Sequence, residues 1–201
     1  MSWKNIREDT KKAGYEMGSG IFYKLEEGDN EVRILCEFKP FGSHFNKATN
    51  TSTFCVGKEN GCPVCKEGII PVKPRFLGYV IDRKDGKIKL AEFGYQIIKQ
   101  ISDLSNNIHW SFEEFPDYDM TIIKTEGAIT SYNVQGIPDK HDITNTEKEE
   151  LEKFITTHGT LEENISKKKQ VQIEKNGTVI NEELGGSPTD EDLEATDNIP
   201  F

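Results

Sequence analysis

The chain has 201 residues, of which 34% are hydrophobic and 30% charged, and its formal net charge is −10 at pH 7. These values indicate one modest domain with appended segments, and no run approaches the roughly 18–20 apolar residues that a membrane span needs. Residues 182–201 hold seven acids and no lysine or arginine, which leaves only −3 for the rest of the chain. A nearly balanced body can still present a basic groove, so the acidic net charge does not exclude a nucleic-acid partner.

The N-terminal segment, residues 1–20, is polar and mixed in charge, and we expect it to be a flexible arm. It starts without the apolar core of a signal peptide, so a cytoplasmic protein is expected. In that compartment, cysteines are expected to be thiols or metal ligands rather than disulfides.

A first strand is predicted at residues 31–38, which are rich in β-branched and apolar types. Residues 40–74 follow, dense in Gly, Pro, Asn, Thr and Cys and with little periodicity. A structureless loop of this length is unusual in a compact domain and needs a stabiliser of its own.

Three of the four cysteines lie in this loop and predict a metal site. Cys62-Pro63-Val64-Cys65 is a CxxC turn that places two sulfurs on one side, and Cys55 precedes it. Structural zinc takes four nitrogen or sulfur ligands in a tetrahedron, and a nearby histidine is the natural fourth ligand. The predicted Zn²⁺ ligands are His44, Cys55, Cys62 and Cys65. Zinc would also explain how such a loop is ordered.

Alternatives to this zinc set remain open. Cys36 competes with His44 as the fourth ligand, although a cysteine inside an apolar strand is usually a small buried hydrophobe. A CxxC can also be a redox dithiol, but that motif usually opens a helix after a strand. Catalytic zinc is disfavoured because the chain has no HExxH motif and no PCxxC with an upstream HxE. Ordinary free thiols are the remaining alternative.

Residues 75–82 and 87–93 are predicted to form a hairpin around Asp85-Gly86. Side chains alternate along a strand, and cross-strand partners share a face. One face, expected to be the core, carries Leu77, Tyr79, Ile81, Ile88 and Leu90. The other face, expected to lie outside, carries Phe76, Gly78, Val80, Lys87, Lys89, Ala91 and Phe93.

A helix over residues 95–104, a hairpin from residues 118–124 and 128–135, and a short helix over residues 147–158 are predicted next. Strand, long loop, hairpin, helix, hairpin is the order of an OB-fold, a five-stranded Greek-key barrel that binds single strands. We therefore expect a mainly β protein whose OB-fold spans residues 21–140, with the zinc loop at residues 40–74. Residues 141–181 are expected to form the C-terminal helix and an extension.

Residues 182–201 are expected to be a disordered acidic tail, because a sequence of this kind cannot bury enough apolar surface to fold. The tail ends on an apolar tip that a merely solubilising segment would not need. A flexible acidic lead with such a tip is typical of a peptide ligand for a pocket with a basic rim. The predicted partner-binding residues are Asp197, Ile199, Pro200 and Phe201. A disordered solubilising end is the alternative.

Together these features resemble a known family. The His…Cys…CxxC set after the first strand, the Arg75–Arg83 hairpin strand and the acidic tail are similar to the zinc-containing single-stranded DNA-binding proteins of tailed phages. The closing residues 197–201 resemble the tip of bacterial single-stranded DNA-binding proteins, which recruits replication and repair proteins. The resemblance implies a non-enzymatic protein that coats single-stranded DNA in replication, recombination or repair and recruits partner proteins through its tail.

A protein of this kind needs a basic groove and aromatic side chains on which bases stack, at roughly 1–3 kcal/mol per base. The outer face of the first hairpin offers both, with aromatic rings for stacking and lysines for phosphates. The predicted DNA-binding residues are Lys73, Arg75, Phe76, Tyr79, Arg83, Lys87, Lys89, Phe93, Tyr95, Trp110 and Tyr132. Core packing is the alternative for the aromatic residues, Trp110 above all, and solvated surface charge for the basic ones. The run Lys167–Lys169 is predicted to be solvated.

Two other classes of function compete with this one. A zinc-ribbon interaction protein of transcription or replication machinery shares the Cys/His set but does not need the aromatic and basic hairpin face. A metalloenzyme is disfavoured because two-metal chemistry needs carboxylates clustered on ordered elements. The acids of this chain are concentrated in the tail and in residues 147–152, which reads as a solvated face.

Overall fold

The computed structural model describes residues 20–49, 51–140 and 142–184. These residues form the strands β1 (Gly28–Ile34), β2 (Lys39–Asn46), β3 (Thr51–Phe54), β4 (Val72–Asp82), β5 (Lys87–Gly94), β6 (Tyr118–Thr125) and β7 (Ser131–Lys140). The helices are α1 (Pro63–Glu67), α2 (Tyr95–Ser105), α3 (Asn145–His158) and α4 (Leu161–Leu184), and a 3₁₀ turn spans Lys58–Asn60.

The strands form one antiparallel sheet in the order β3-β2-β4-β1-β6-β7, with β5 on the other edge of β4. β1 and β2 lie end to end along one edge of β4, where Ile34 pairs with Val80 and Lys39 pairs with Leu77. The two therefore act as one long strand with an irregular break. The β4–β5 hairpin turns through residues 83–86.

The prediction of a mainly β protein is confirmed, whereas a closed five-stranded barrel is not established by the strand pairing. Within the described part of the chain, no ladder joins β5 to β7. Residues 21–23 instead run along the free edge of β5, where Leu90 N donates to Ile21 O at 2.6 Å and Tyr23 N donates to Leu90 O at 2.9 Å. The predicted helix over residues 95–104 and the hairpin after it are confirmed as α2 and β6–β7.

One face of the sheet holds the first of two hydrophobic cores. Five strands and α2 supply its buried residues, which are Val32, Ile34, Val80, Ala91, Phe93, Ile97, Ile101, Tyr118, Met120, Ile122 and Val134. Ile97 and Ile101 lie one turn apart on α2, so this helix buries a single apolar face. Because side chains from β1, β4, β5, β6 and β7 meet in one core, the sheet curls around it.

The opposite face of β4 and β5 is covered by the two C-terminal helices and forms the second core. The hairpin contributes Leu77, Tyr79, Ile81, Ile88 and Leu90, all buried. The helices contribute Leu151, Phe154, Ile155, Leu161 and Ile165. The prediction that this hairpin face is buried is confirmed.

The prediction that the other hairpin face lies outside is wrong. Val80, Ala91 and Phe93 on that face are at most 1% exposed. Gly78 lies against the ring of Phe38, whose Cε1 atom would be 2.6 Å from an added Cβ, so the space beside Gly78 is filled by protein. Both faces of the hairpin are covered, which is why β4 reads as an almost continuous apolar run rather than an alternating one.

Ion pairs fasten the start of α3 to the sheet. Arg83 donates to the two oxygens of Asp119 at 2.8 and 2.9 Å and to Glu147 at 2.9 Å. Glu147 also forms a capping box with Thr144. Burial raises the pKa of Glu147, but hydrogen bonds from Thr144 and Arg83 outweigh burial and shift this pKa below its ordinary value. The first turn of α3 is thereby held against β6.

The predicted helix over residues 147–158 is confirmed as α3, and α4 follows directly. Because α4 extends to Leu184, the backbone of the first three residues of the predicted tail is helical. Residues 1–19 of the predicted arm, residues 185–201 of the predicted tail and the partner-binding set Asp197, Ile199, Pro200 and Phe201 lie outside the described residues. Within the described ranges, no helix combines the length and the apolar character needed to cross a membrane.

Candidate metal centre and basic groove

His44, Cys55, Cys62 and Cys65 bring their ligand atoms within 4.8 Å of one another. His44 Nε2 lies 3.5 Å from Cys62 Sγ and 3.3 Å from Cys65 Sγ, and the sulfurs of Cys55 and Cys65 are 3.4 Å apart. The cysteines are free thiols. With zinc bonds of about 2.3 Å to sulfur and about 2.0 Å to nitrogen, a tetrahedral site has ligand–ligand distances of roughly 3.5–3.8 Å. The four side chains therefore form a possible metal site of suitable size.

The β2–β3 hairpin delivers two of these ligands. His44 lies on β2, and Cys55 directly follows β3. Cys55 N donates to Gly42 O at 2.9 Å. An added Cβ at Gly42 would lie 3.1 Å from Cys55 Cβ and 2.9 Å from a methyl carbon of Val72, so the close approach of the strands requires glycine here.

The 3₁₀ turn and α1 deliver the other two ligands. Cys62 is the N-cap of α1 and Cys65 lies in its first turn, with Pro63 at the first helical position. Gly61 adopts φ +77°, a left-handed conformation that a residue with a Cβ disfavours. The stretch predicted as an irregular loop at residues 40–74 thus contains β2, β3, a 3₁₀ turn and α1.

The surroundings of His44 orient it as a ligand. Its side chain is buried, and its Nδ1 lies 3.0 Å from Ile70 O. Because a carbonyl oxygen only accepts, Nδ1 carries the proton and the Nε2 lone pair faces the sulfurs. Among the protein groups alone, the pKa of Cys65 is raised to about 12, chiefly by its hydrogen bond with Cys55. A metal ion binds cysteine as the thiolate, so a bound cation would favour the deprotonated form of these ligands.

Cys36, the alternative fourth ligand, does not belong to the metal cluster. Its sulfur accepts a hydrogen bond from Tyr79 N at 3.2 Å, and it packs against the second core. Burial raises the pKa of Cys36 to about 11. It therefore behaves as a small buried hydrophobe.

A second feature is a cavity of about 560 Å³ at the junction of β4, α2, β6 and β7. We call it the basic groove and define it by its charged and aromatic lining residues, Lys73, Arg75, Glu92, Tyr95, Lys124 and Tyr132. Three cations and one carboxylate line the groove, a balance that favours a positive potential, and Lys124 Nζ also pairs with Glu126 Oε1 at the rim. Lys73, Arg75, Tyr95 and Tyr132 come from the predicted DNA-binding set, and the structure brings these four together.

The start of α2 adds to this potential. Tyr95, Gln96 and Ile97 line the groove, and the N-cap Gly94 supplies no side-chain cap. The first amides of a helix have no intrahelical partner, and they carry the positive end of the helix dipole. Tyr95 is 57% exposed, so its ring is accessible from the groove.

Aromatic side chains continue from the groove towards the metal centre. Phe41 of β2 lies opposite Arg75 and stacks on Phe54, with ring centroids 5.3 Å apart and an interplanar angle of 10°. Lys73 Nζ lies 6.0 Å from the centroid of Phe45. The three phenylalanines are half-buried, so part of each remains accessible to solvent.

These phenylalanines and Lys124 were not among the DNA-binding residues predicted from the sequence. Phe41 and Phe45 lie two residues before and two residues after residue 43, so the two rings share one face of β2. This alternation was not recognised in the sequence because the stretch was assigned to a loop. Lys124 pairs with Tyr132 across β6–β7. The sequence did offer a signal for Lys124, because it lies in a predicted hairpin opposite Tyr132, which was already a predicted DNA-binding residue.

Of the remaining aromatic members of the predicted DNA-binding set, Tyr79, Phe93 and Trp110 lie in or against the cores. Phe93 is 1% exposed and Tyr79 4% exposed, so both are withdrawn as base-stacking residues. Phe76 is half-buried and pairs with Phe93 across the hairpin. Trp110 packs edge-on against Tyr118 with ring centroids 5.1 Å apart, which favours the core alternative for this tryptophan.

The remaining basic members lie at the other end of the hairpin. Arg83 binds Asp119 and Glu147, as described above. Lys89 binds Asp82 at 2.6 Å and its side chain is 14% exposed, whereas Lys87 is exposed at the turn. Seven residues of β4 separate Asp82 from Arg75, roughly 23 Å of extended strand. These cations are therefore not part of the basic groove.

Neither a protein-family model nor a curated protein matches the chain.

Proposed function

We propose that the protein binds single-stranded DNA without sequence preference and without catalysis, as the resemblance to zinc-containing phage proteins implies. The observation that carries the proposal is the meeting of three cations, Lys73, Arg75 and Lys124, with Tyr95 and Tyr132 in one open groove. Cations bind backbone phosphates, and aromatic rings stack on bases of any sequence.

The strand order supports an OB-fold. With β1 and β2 counted as one interrupted first strand, β4 and β5 are the second and third, and α2 precedes the fourth and fifth, β6 and β7. β6 returns to pair with β1, as a Greek-key connection does. In OB-folds the face of strands 2 and 3 and the adjoining loops bind single strands, and the basic groove lies beside β4 and β5.

The His44, Cys55, Cys62 and Cys65 cluster is proposed to hold structural Zn²⁺. One imidazole and three thiolates form a Cys₃His set, which zinc commonly occupies. Four protein ligands complete the tetrahedron, so the site has no open position for a substrate. Its role would be to hold the β2–β3 hairpin and α1 in place beside the groove.

The C-terminal tail is proposed to recruit replication, recombination or repair proteins through Asp197, Ile199, Pro200 and Phe201, and this part rests on the sequence alone. Deleting residues 185–201 should abolish capture of such a partner while DNA binding persists. Unchanged capture would refute the recruiting role.

The test is a titration of the zinc-loaded protein with fluorescent oligo-dT and with a duplex of the same length, at 50 and 200 mM salt. Three phosphate-binding cations give a slope of log K against log salt near −2, because single strands contribute about −0.7 per contact. Affinity for oligo-dT should therefore fall by roughly 20-fold or more between the two salt concentrations.

Two matched variants locate the site. Lys73→Gln should weaken oligo-dT binding and flatten the salt slope, whereas Lys87→Gln removes the same charge at the far end of the hairpin and should change little. Equal affinity for single strand and duplex would refute the proposed function. The metal cluster would then be better explained as part of a zinc-ribbon interaction surface.

A further inference from the structure

Glu92, the carboxylate of the basic groove, is shared by two cations from different elements. Arg75 Nε on β4 donates to Glu92 Oε1 at 3.2 Å. Lys168 Nζ on α4 donates to Glu92 Oε2 at 2.7 Å. A helix that lies outside the sheet thus places a positive charge at the edge of the groove.

Lys168 is held in this position by aromatic rings as well as by Glu92. Its ammonium lies 5.1 Å from the ring centroid of Phe41 and 5.6 Å from that of Phe22. Its side chain is 31% exposed, whereas Lys167 and Lys169 are exposed residues. Lys168 is the middle residue of the run Lys167–Lys169, which the sequence predicts to be solvated. In the structure it is directed at the sheet.

The three charges do not cancel. Two cations share one carboxylate, so the triad of Arg75, Glu92 and Lys168 keeps a net positive charge. A phosphate offers two oxygens with a spacing similar to that of a carboxylate, and Arg and Lys bind both groups. The ion pairs are partly exposed and therefore weak, so an incoming phosphate can displace the carboxylate.

We propose that α4 completes the DNA site, with Arg75 and Lys168 binding neighbouring backbone phosphates and Glu92 occupying these cations when DNA is absent. This inference rests on the proposed function and adds to it a contact from outside the sheet. It also assigns Glu92 the role of a competitor that the DNA backbone must displace.

The test compares Lys168→Gln with Lys169→Gln in the full-length, zinc-loaded protein, by oligo-dT titration across 50–200 mM salt. Both variants lose one positive charge from the same helix, but only Lys168 reaches the groove. Lys168 adds a fourth phosphate-binding cation to the three of the groove, which brings the wild-type slope to about −2.8. Lys168→Gln should return the slope to about −2, so the affinity lost across this salt range becomes about 2.6-fold smaller. Lys169→Gln should keep the wild-type slope.

A third variant separates the DNA contact from any effect on folding. Lys168→Arg keeps the charge and should restore the wild-type slope. Thermal unfolding of the variants should show that α4 stays docked. Wild-type binding to oligo-dT with equal slopes for Lys168→Gln and Lys169→Gln would overturn the inference and leave the proposed function standing. Failure of the wild type to bind oligo-dT would overturn both.

The competitor role of Glu92 has its own comparison. Glu92→Gln should tighten oligo-dT binding more than Glu162→Gln, which removes a carboxylate that pairs with Lys39 at 3.3 Å elsewhere on the surface. Equal tightening in the two variants would show that the loss of one negative charge explains the effect, which would contradict the competitor role of Glu92.

Discussion

Loss of the metal should unfold one segment of the protein and leave the rest folded. Of residues 55–70, only Val56 and Cys62 are buried. Burying these two side chains contributes roughly 4 kcal/mol. Fixing the backbone of the sixteen residues costs about 16 kcal/mol, at about 1 kcal/mol each. The deficit of about 12 kcal/mol lies within the roughly 10–16 kcal/mol that a structural zinc site supplies.

The perturbation is Cys62→Ser, which removes one ligand, and Cys36→Ser is the matched control because Cys36 lies outside the cluster. The assay is hydrogen–deuterium exchange read by mass spectrometry, with zinc content measured in parallel. At free zinc 100-fold above its Kd, binding contributes about 2.7 kcal/mol, so losing it should speed exchange of residues 55–70 about 100-fold. Cys36→Ser should keep both its zinc and its protection.

Peptides from α2 and β6 should stay protected in the Cys62→Ser variant, because the first core contains no residue of segment 55–70. Loss of protection along the whole chain would show that the metal holds the entire fold. Unchanged exchange in residues 55–70 would show that these residues need no metal. Either result refutes the reasoning.

Three further predictions concern the helices and the groove. Leu161→Ala should destabilise the protein by about 2–5 kcal/mol in urea unfolding, because Leu161 is 4% exposed in the second core. The control is Val171→Ala, at a 50% exposed position of the same helix, which should change stability by less than about 0.5 kcal/mol. The lowered pKa of Glu147 contributes stability that is complete above its ordinary value of 4.5 and is lost as pH falls through the folded-state pKa. Glu147→Gln should therefore reduce the loss of stability on acidification below pH 4.5, and an unchanged pH dependence would contradict this assignment. Tyr95→Ala should leave the melting temperature unchanged. It should weaken oligo-dT binding roughly 5- to 150-fold, the equivalent of about 1–3 kcal/mol for one stacked base. Unchanged affinity would show that Tyr95 is not part of the binding surface.

The metal cluster could be predicted from sequence because its four members lie within 22 residues and their spacing is local. The pairing of the β4–β5 hairpin could be predicted for the same reason, since alternation and the Asp85-Gly86 turn are local features. That the second face is also buried could not be predicted from local features, because it packs against β1, β6 and β7, which meet the hairpin only through the pairing of distant segments.

The basic groove was only partly predictable because its lining comes from distant segments. Lys73, Arg75 and Tyr95 flank the predicted hairpin, so their proximity to one another could be predicted from the sequence. Lys124 and Tyr132 reach them only through the pairing of β1 with both β4 and β6. Composition also hid β2, because Pro40 and Gly42 disfavour a strand that pairing with β4 nevertheless stabilises.

The cover that α3 and α4 place over the hairpin has a consequence for protein synthesis. The chain is made from its N-terminus, so Leu77, Ile81 and Leu90 are synthesised about 75 residues before Ile165, which covers them. At roughly 5–20 residues per second, this apolar face waits about 4–15 s for its cover. Nascent chains and products truncated before α4 should therefore be chaperone clients and prone to self-association, even though their sheet is already complete.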